Sequence, residues 1–283
     1  MKIEVKRNFG EVTLTITIST QKVTETFTKI KKEALREVSA PGFRKGKVPT
    51  RIGEKQLSED SLAEVLFNKL IPPAYTAAIE KEDIKPIIPP QLKILSYRKD
   101  TDLVFEAKTA ERPKINLKDY KTSLKKLKGK LIYEPEGKPL KGGEKVTAGQ
   151  VLEKLRETVE LTIPPILIEQ EVQRMLSSLI DQTQKLGITV EQYLLSQGKT
   201  AEQLKKEYQE IAERNLKDEF IVSEITIREK VEITPQEVEE AIAAAPDEKT
   251  KETFHQEAGR RYIEDILRKR KTLEFLIKIS EEK

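Results

Sequence analysis

The eight residues Gly42-Phe43-Arg44-Lys45-Gly46-Lys47-Val48-Pro49 carry the most chemically pointed pattern in the chain. Arg44, Lys45 and Lys47 set three positive charges between Ser39 and Pro49, with no carboxylate among them. Guanidinium and ammonium groups in such a row pair with carboxylates or phosphates. Phe43 adds an aromatic anchor. Gly42 and Gly46 let the backbone turn sharply, and Pro49 stiffens the exit. The chemistry is that of docking, because a loop that merely joins two helices has no use for an apolar ring beside the charges. It is not the chemistry of a nucleotide-binding loop. That motif needs a wider glycine spacing and a Ser or Thr after its Lys, and here Val48 follows Lys47.

Little else in the sequence is equipped for catalysis. The 283 residues include no Cys and a single His. Disulfides, thiolate zinc sites and cysteine nucleophiles are therefore excluded, as are metal sites built from several histidines. His255 would have to serve any Ser–His–Asp constellation alone. Its setting, Glu252-Thr253-Phe254-His255-Gln256-Glu257, reads as an ordinary surface histidine. No catalytic residue, metal ligand or cofactor site is expected. The basic run Arg268-Lys269-Arg270-Lys271 reads as favourable charge toward the end of a helix.

The elements that would hold the docking loop follow from periodicity. Residues 11–18 alternate strictly and are rich in β-branched types, which predicts a strand paired with residues 2–7 across Asn8-Phe9-Gly10. Thr20 reads as the cap of a helix whose apolar residues recur at Val23, Phe27, Ile30, Ala34 and Val38 and which stops at Pro41-Gly42. The loop 39–49 follows, then a helical stretch over 50–82 that Pro72-Pro73 should break or restart. Gln91–Tyr97 and Asp102–Thr109 read as a hairpin about Lys99-Asp100. Residues 1–115 thus form an α+β domain with the loop at its tip.

Residues 116–158 hold 11 basic side chains and five glycines, and they read as a basic connector with room for a short hairpin. Residues 159–283 are helix upon helix: 166–186 ending at Gly187, a short one from Thr189, and a long one from Thr200 to Lys230. Another starts at Thr234-Pro235, and a last runs from about Glu248 to Ile279. The apolar stripe in 200–219 is narrow (Leu204, Tyr208, Ile211, Leu216), which predicts an elongated all-α domain with apolar ledges for other chains. Charge divides along the chain. Residues 1–115 carry a formal +6, residues 116–158 +5 and residues 159–283 −7. A basic front of that kind meets an anionic partner.

The motif Gly-Phe-Arg-Lys-Gly-Lys-Val-Pro, in a helix–loop–helix of an N-terminal α+β domain, closely resembles the ribosome-docking signature of the trigger factor family. The segment Ile163-Pro164-Pro165-Ile166-Leu167-Ile168-Glu169-Gln170-Glu171-Val172 resembles the start of that family's C-terminal helical domain. Gly187-Ile188-Thr189 through Tyr193, and Ile233-Thr234-Pro235-Gln236-Glu237-Val238, are similar to it as well. By this resemblance Phe43, Arg44 and Lys45, flanked by Gly42 and Lys47, contact a large-subunit protein at the exit of the peptide tunnel, with rRNA alongside. The resemblance further implies an ATP-independent, cytoplasmic chaperone for nascent and unfolded polypeptides. Some members also form a homodimer off the ribosome. Client holding would fall to apolar arm residues such as Leu167, Met175, Leu179, Tyr193, Leu194 and Phe220. Typical members insert an FKBP-like prolyl isomerase domain between the two parts. Here only 43 residues lie there, fewer than the roughly 50 a domain needs, so an enzyme is not expected. The chain opens on alternating apolar and charged residues and contains no 18-residue apolar run, so no membrane partner is expected. The competing readings are a holdase free of the ribosome, a periplasmic chaperone or isomerase with a related helical part, and a basic RNA-binding protein. The last would want aromatic stacking platforms or a recognised module.

Overall fold

The structure, a computed structural model, describes residues 1–39, 43, 48–98, 101–127, 130–133 and 139–281; the side chains at 130–133 and 139–145 lie outside that description. The chain divides into two compact units, one of residues 1–113 with 164–167 and the other of residues 114–163 with 168–283.

The first unit is built on a four-stranded antiparallel sheet. Strand β1 (Lys2–Asn8) pairs with β2 (Glu11–Ile18), which pairs with β4 (Leu103–Ala110), and β3 (Gln91–Ser96) lies on the far edge of β4. Positive φ at both Phe9 and Gly10 closes the two-residue turn between β1 and β2 with the twist a hairpin needs. A side chain at Gly10 would also crowd the Glu111 carbonyl and Pro164. Along β2 the apolar members Val12, Leu14, Ile16 and Ile18 are buried and the residues between them are not, as a period of two requires. Their face is covered by α1 (Thr20–Glu37) and α3 (Glu59–Lys81), with the short α2 (Thr50–Glu54) between them in sequence. Helix α3 buries Leu62, Leu66, Leu70, Ala74 and Ala78, a stripe of strict four-residue spacing.

Two expectations need correction here. Pro72 and Pro73 do not break the second helical stretch, because α3 runs through both. The carbonyls they strand belong to Asn68 and Lys69, and these residues and both prolines are exposed, so water satisfies what the helix cannot. Nor does a local side chain cap α1. Its N-cap Ser19 makes no side-chain bond; instead Asp102 accepts from the Thr20 amide at 2.7 Å and from the Thr20 hydroxyl at 2.6 Å.

The second unit begins with the stretch read as a connector, whose described side chains on either side of residues 128–145 are packed into a core. It supplies α4 (Tyr120–Lys125), the hairpin β5 (Lys130–Tyr133) and β6 (Pro139–Lys145), and α5 (Ala148–Thr158). Tyr120, Leu124, Val151 and Leu155 are buried in one cluster with Ile221, Ile225, Leu276 and Ile279. Its numerous lysines hid a short apolar set that only tertiary packing reveals. The remaining helices are α6 (Pro165–Lys185), α7 (Val190–Ser196), α8 (Ala201–Arg228), α9 (Pro235–Ala243), α10 (Glu248–His255) and α11 (Glu257–Glu281). Thr189, Thr200 and Thr234 each open a helix with a full capping box, using Gln192, Gln203 and Glu237. The last helix expected from sequence is two. Gln256 takes an extended conformation, and Gly259 starts α11 so close to the Thr253 carbonyl that a Cβ there would stand 2.2 Å from it.

Candidate docking tip and apolar surfaces

Of the docking motif, the structure describes Phe43, Val48 and Pro49; Gly42, Arg44, Lys45 and Lys47 lie outside the described residues. Phe43 is 42% exposed, as an anchor awaiting a partner must be. What positions it is the stem beneath. Helix α2 turns back against the end of α1 through Gly53, which is buried. A Cβ on Gly53 would lie 2.8 Å from Leu35 and 3.9 Å from both Val38 and Val48. Both ends of the loop are therefore tied to one apolar knot. Lys31 pairs with Glu54 at 2.8 Å across the same junction. The sequence reading missed Gly53, for which an isolated glycine among helix formers was the available signal.

Helix α1 leads to the tip with a basic face. Lys22, Lys29 and Arg36 recur every seven residues, which sets them on one face roughly 10 Å apart. All three are exposed, as is Lys32, and none of these four makes an ion pair among the described residues. The acids nearby are engaged elsewhere. Glu33 accepts from Lys69 at 2.8 Å, which holds its carboxyl below the usual carboxylate range, and Glu25 accepts from Gln21 at 3.1 Å. The face can therefore meet phosphates or carboxylates without first breaking a bond of its own.

The residues proposed for client holding, all but Leu167 in the second unit, separate into two groups. Leu167 and Leu179 are each 6% exposed and belong to the packed interior, so they offer no surface. Met175, Tyr193, Leu194 and Phe220 are half-buried. Exposed apolar side chains lie instead about the end of α6 and along α7, at Ile180, Leu186, Ile188 and Leu195, with Ile227, Tyr262 and Ile266 on α8 and α11. Leu186 is 74% and Leu195 80% exposed, well beyond what a core-facing stripe would leave. Gly187, at φ +70, reverses the chain there, and the Ile188 amide returns to the Thr183 carbonyl at 3.1 Å. Periodicity could not separate these from core leucines, since both obey helical spacing.

A second apolar recess lies between α9 and α11, a cavity of about 350 Å³ lined by Ile233, Ala241 and Leu267 with charged residues around them. Lys271 closes part of the rim, donating to Glu237 at 2.9 Å and to the Glu232 carbonyl at 3.0 Å. Hydrogen bonds from the Thr234 backbone, then from Lys271, bring the Glu237 carboxyl down to about 2. His255 closes α10 and is exposed. Among the described residues no group of His, Asp and Glu is placed to hold a metal ion, and no helix is long and apolar enough to cross a membrane.

Comparison with known proteins covers both units. The family described as bacterial trigger factor protein matches residues 1–131, and its C-terminal counterpart matches residues 123–278. Two similar curated relatives are the trigger factors of Staphylococcus aureus strains JH9 and Newman. Each is 35% identical over 116 residues, which is 41% of this chain. The matched stretch spans only 27% of those relatives' own length. A solved structure described under "Promiscuous Substrate Recognition in Folding and Assembly Activities of the Trigger Factor Chaperone" superposes with a TM-score of 0.65 over 98% of this chain and 99% of that one. At 15% identity it shows a shared fold.

Proposed function

The chain belongs to the bacterial trigger factor family, and from that we propose an ATP-independent chaperone that docks at the ribosomal tunnel exit and holds nascent or unfolded polypeptides. The observation that carries the docking half is the exposed Phe43 on a stem locked by Gly53, beside a face of unpaired cations. In this reading Phe43, Arg44 and Lys45 meet a protein of the large subunit, with Gly42 and Lys47 shaping the loop. Lys22, Lys29 and Arg36 meet neighbouring rRNA phosphates. Docking concentrates the chaperone where chain emerges, so individually weak client contacts suffice.

The client half rests on exposed Leu186, Ile188 and Leu195, with half-buried Met175, Tyr193, Leu194 and Phe220 beside them in sequence or on neighbouring helices. Apolar side chains held in water bind unfolded segments without a nucleotide cycle. The work is done, in this reading, in the cytoplasm and without prolyl isomerase activity. What supports this is that the two family matches overlap at residues 123–131 and that residues 114–163 fall within the second unit. Off the ribosome, self-association would cover the same apolar ledges, and a concentration series in sedimentation velocity reads it directly.

Co-sedimentation with ribosomes tests the central claim. Wild type should pellet with large subunits, and the triple variant Phe43→Ala, Arg44→Ala, Lys45→Ala should stay in the supernatant while keeping its helical circular dichroism. Equal behaviour of the two would end the docking assignment and leave a free holdase.

A further inference from the structure

The two edges of the sheet in the first unit are unlike. Strand β1 is guarded in the usual way, with Lys2 paired to Glu4 and with Ile3 and Val5 half-buried. Strand β3 carries Lys93 and a register shift between Ile94 and Ser96, and among the described residues it is otherwise open. Every residue from Gln91 to Ser96 is exposed, with Leu92 at 50%, Ile94 at 41% and Leu95 at 47%. In register Leu92 stands opposite Ala107 and Ile94 opposite Phe105, and both of those partners are fully buried. Leu92 and Ile94 therefore continue the core face outward, past the cover that the helices give it. Lys93 sits on the other face, opposite Glu106. Beyond β3 the sheet has no further strand among the described residues.

Charge narrows what fits there. Residues 84–98 carry Lys85, Lys93 and Arg98 and no acid, and none of those three side chains is in an ion pair among the described residues. On the neighbouring strand Glu106 stands directly opposite Lys93, with Lys108 two residues further along β4. Asp100 follows in sequence and lies outside the described residues, and Asp102 is occupied at the start of α1. A free strand edge is satisfied by another extended backbone. The side chains then select the sequence, because directly opposed pairs lie within contact distance.

We propose that β3 is a strand-addition site for an extended polypeptide with apolar side chains at alternate positions and a carboxylate between them. The apolar pair would lie beside Leu92 and Ile94, and the carboxylate beside Lys93. A second copy of this chain fits less well. Pairing β3 with β3 about Lys93 would set two copies of that lysine against each other, and β3 itself brings no acid to the new seam. The proposal rests on the chaperone reading and deepens it, since it names a class of client segment that the first unit would capture.

The probes are fluorescein-labelled pentapeptides read by anisotropy at low salt: Thr-Val-Glu-Val-Thr, its Thr-Val-Lys-Val-Thr counterpart, and the acidic peptide N-methylated at every amide. Wild type should favour the acidic peptide over the basic one by about fivefold, the scale of an exposed cross-strand charge pair. Lys93→Glu, which leaves the core untouched, should invert that order. The methylated peptide should not bind. Equal binding of all three peptides, or an order unchanged by Lys93→Glu, would overturn the site. So would a wild-type dimer in sedimentation that Lys93→Glu alters, since β3 would then be covered by a second copy. Suppression of aggregation of chemically denatured luciferase is followed in parallel. Its loss in wild type would sink the chaperone reading, while the peptide series still judges the strand.

Discussion

Tyr120 donates its hydroxyl to Glu229 across 2.7 Å, tying the start of α4 to the C-terminal cap of α8, 109 residues further on. Lys121 holds the other carboxylate oxygen at 2.8 Å. The Tyr120 ring is 2% exposed, and burial followed by the carboxylate's acceptance raises its hydroxyl pKa. The stretch with the appearance of a spacer is thus anchored at both ends. Tyr120 and Lys121 clasp α8 from one side, and Arg156 of α5 grips Asp218 of the same helix through both carboxylate oxygens at 2.6 Å.

Tyr120→Phe keeps the ring and removes the hydroxyl, leaving Glu229 one donor short. A loss of about 1–2 kcal/mol is expected, the scale of a buried bond to a charged acceptor. Urea denaturation of the full chain measures it. Combined with Glu229→Ala, the two losses should fall short of additive, because both variants remove the same bond. Excising residues 116–158 should abolish cooperative unfolding of the helical unit altogether, which a mere connector would permit.

Gly53→Val tests the stem without touching the tip. The added Cβ starts 2.8 Å from Leu35, and the further methyl groups must displace Val38 or Val48. A cost of about 1–3 kcal/mol follows from overpacking. Ribosome co-sedimentation should weaken although Phe43, Arg44 and Lys45 are intact. Wild-type docking in the variant would mean that the loop orients itself.

Local signals were legible in the sequence and long-range ones were not. The alternation along β2 and the capping boxes at Thr189, Thr200 and Thr234 each lie within a few residues, and the structure reproduces them. The continuity of α3 through Pro72-Pro73 depends on which side of the helix meets water. The break at Gln256 depends on the close approach that Gly259 allows. The burial of Tyr120 depends on helices about a hundred residues later. At the tip the docking reading rests on residue types, because Arg44 and Lys45 lie outside the described residues. The knot around Gly53 and the exposure of Leu186 and Leu195 required the fold, because a leucine on a helix face has the same spacing whether or not anything covers it.

Leu179→Ala and the pair Leu186→Ser, Leu195→Ser should separate core from client surface. Truncating Leu179, 6% exposed, should cost about 2–5 kcal/mol of stability. The two serines replace side chains already in water and should change stability by no more than about 0.5 kcal/mol each. Only the serine pair should reduce suppression of client aggregation while the thermal midpoint stays put.

Neutralising the α1 face with Lys22→Gln, Lys29→Gln and Arg36→Gln should weaken ribosome binding most at low salt. If each cation meets a phosphate, the slope of log affinity against log salt should shrink by roughly two to three units. An unchanged slope would place the rRNA contact elsewhere, with the protein contact at the tip still judged by its own variants.

Glu237 gives the second unit a pH dependence whose sign is fixed. Its carboxyl is lowered from 4.5 to about 2, first by the Thr234 backbone and then by Lys271. A depressed carboxylate stabilises the fold above the unfolded pKa, and that stabilisation disappears as pH falls through the folded one. Glu237→Gln keeps a capping side chain at the third helical position but removes the ion pair with Lys271. Wild type should therefore be the more stable of the two above pH 4.5, and the gap should close progressively toward pH 2. Urea midpoints of both proteins at several pH values between those limits measure the gap. A gap that stays constant across the window would show that the charge on Glu237 does not hold α9 against α11.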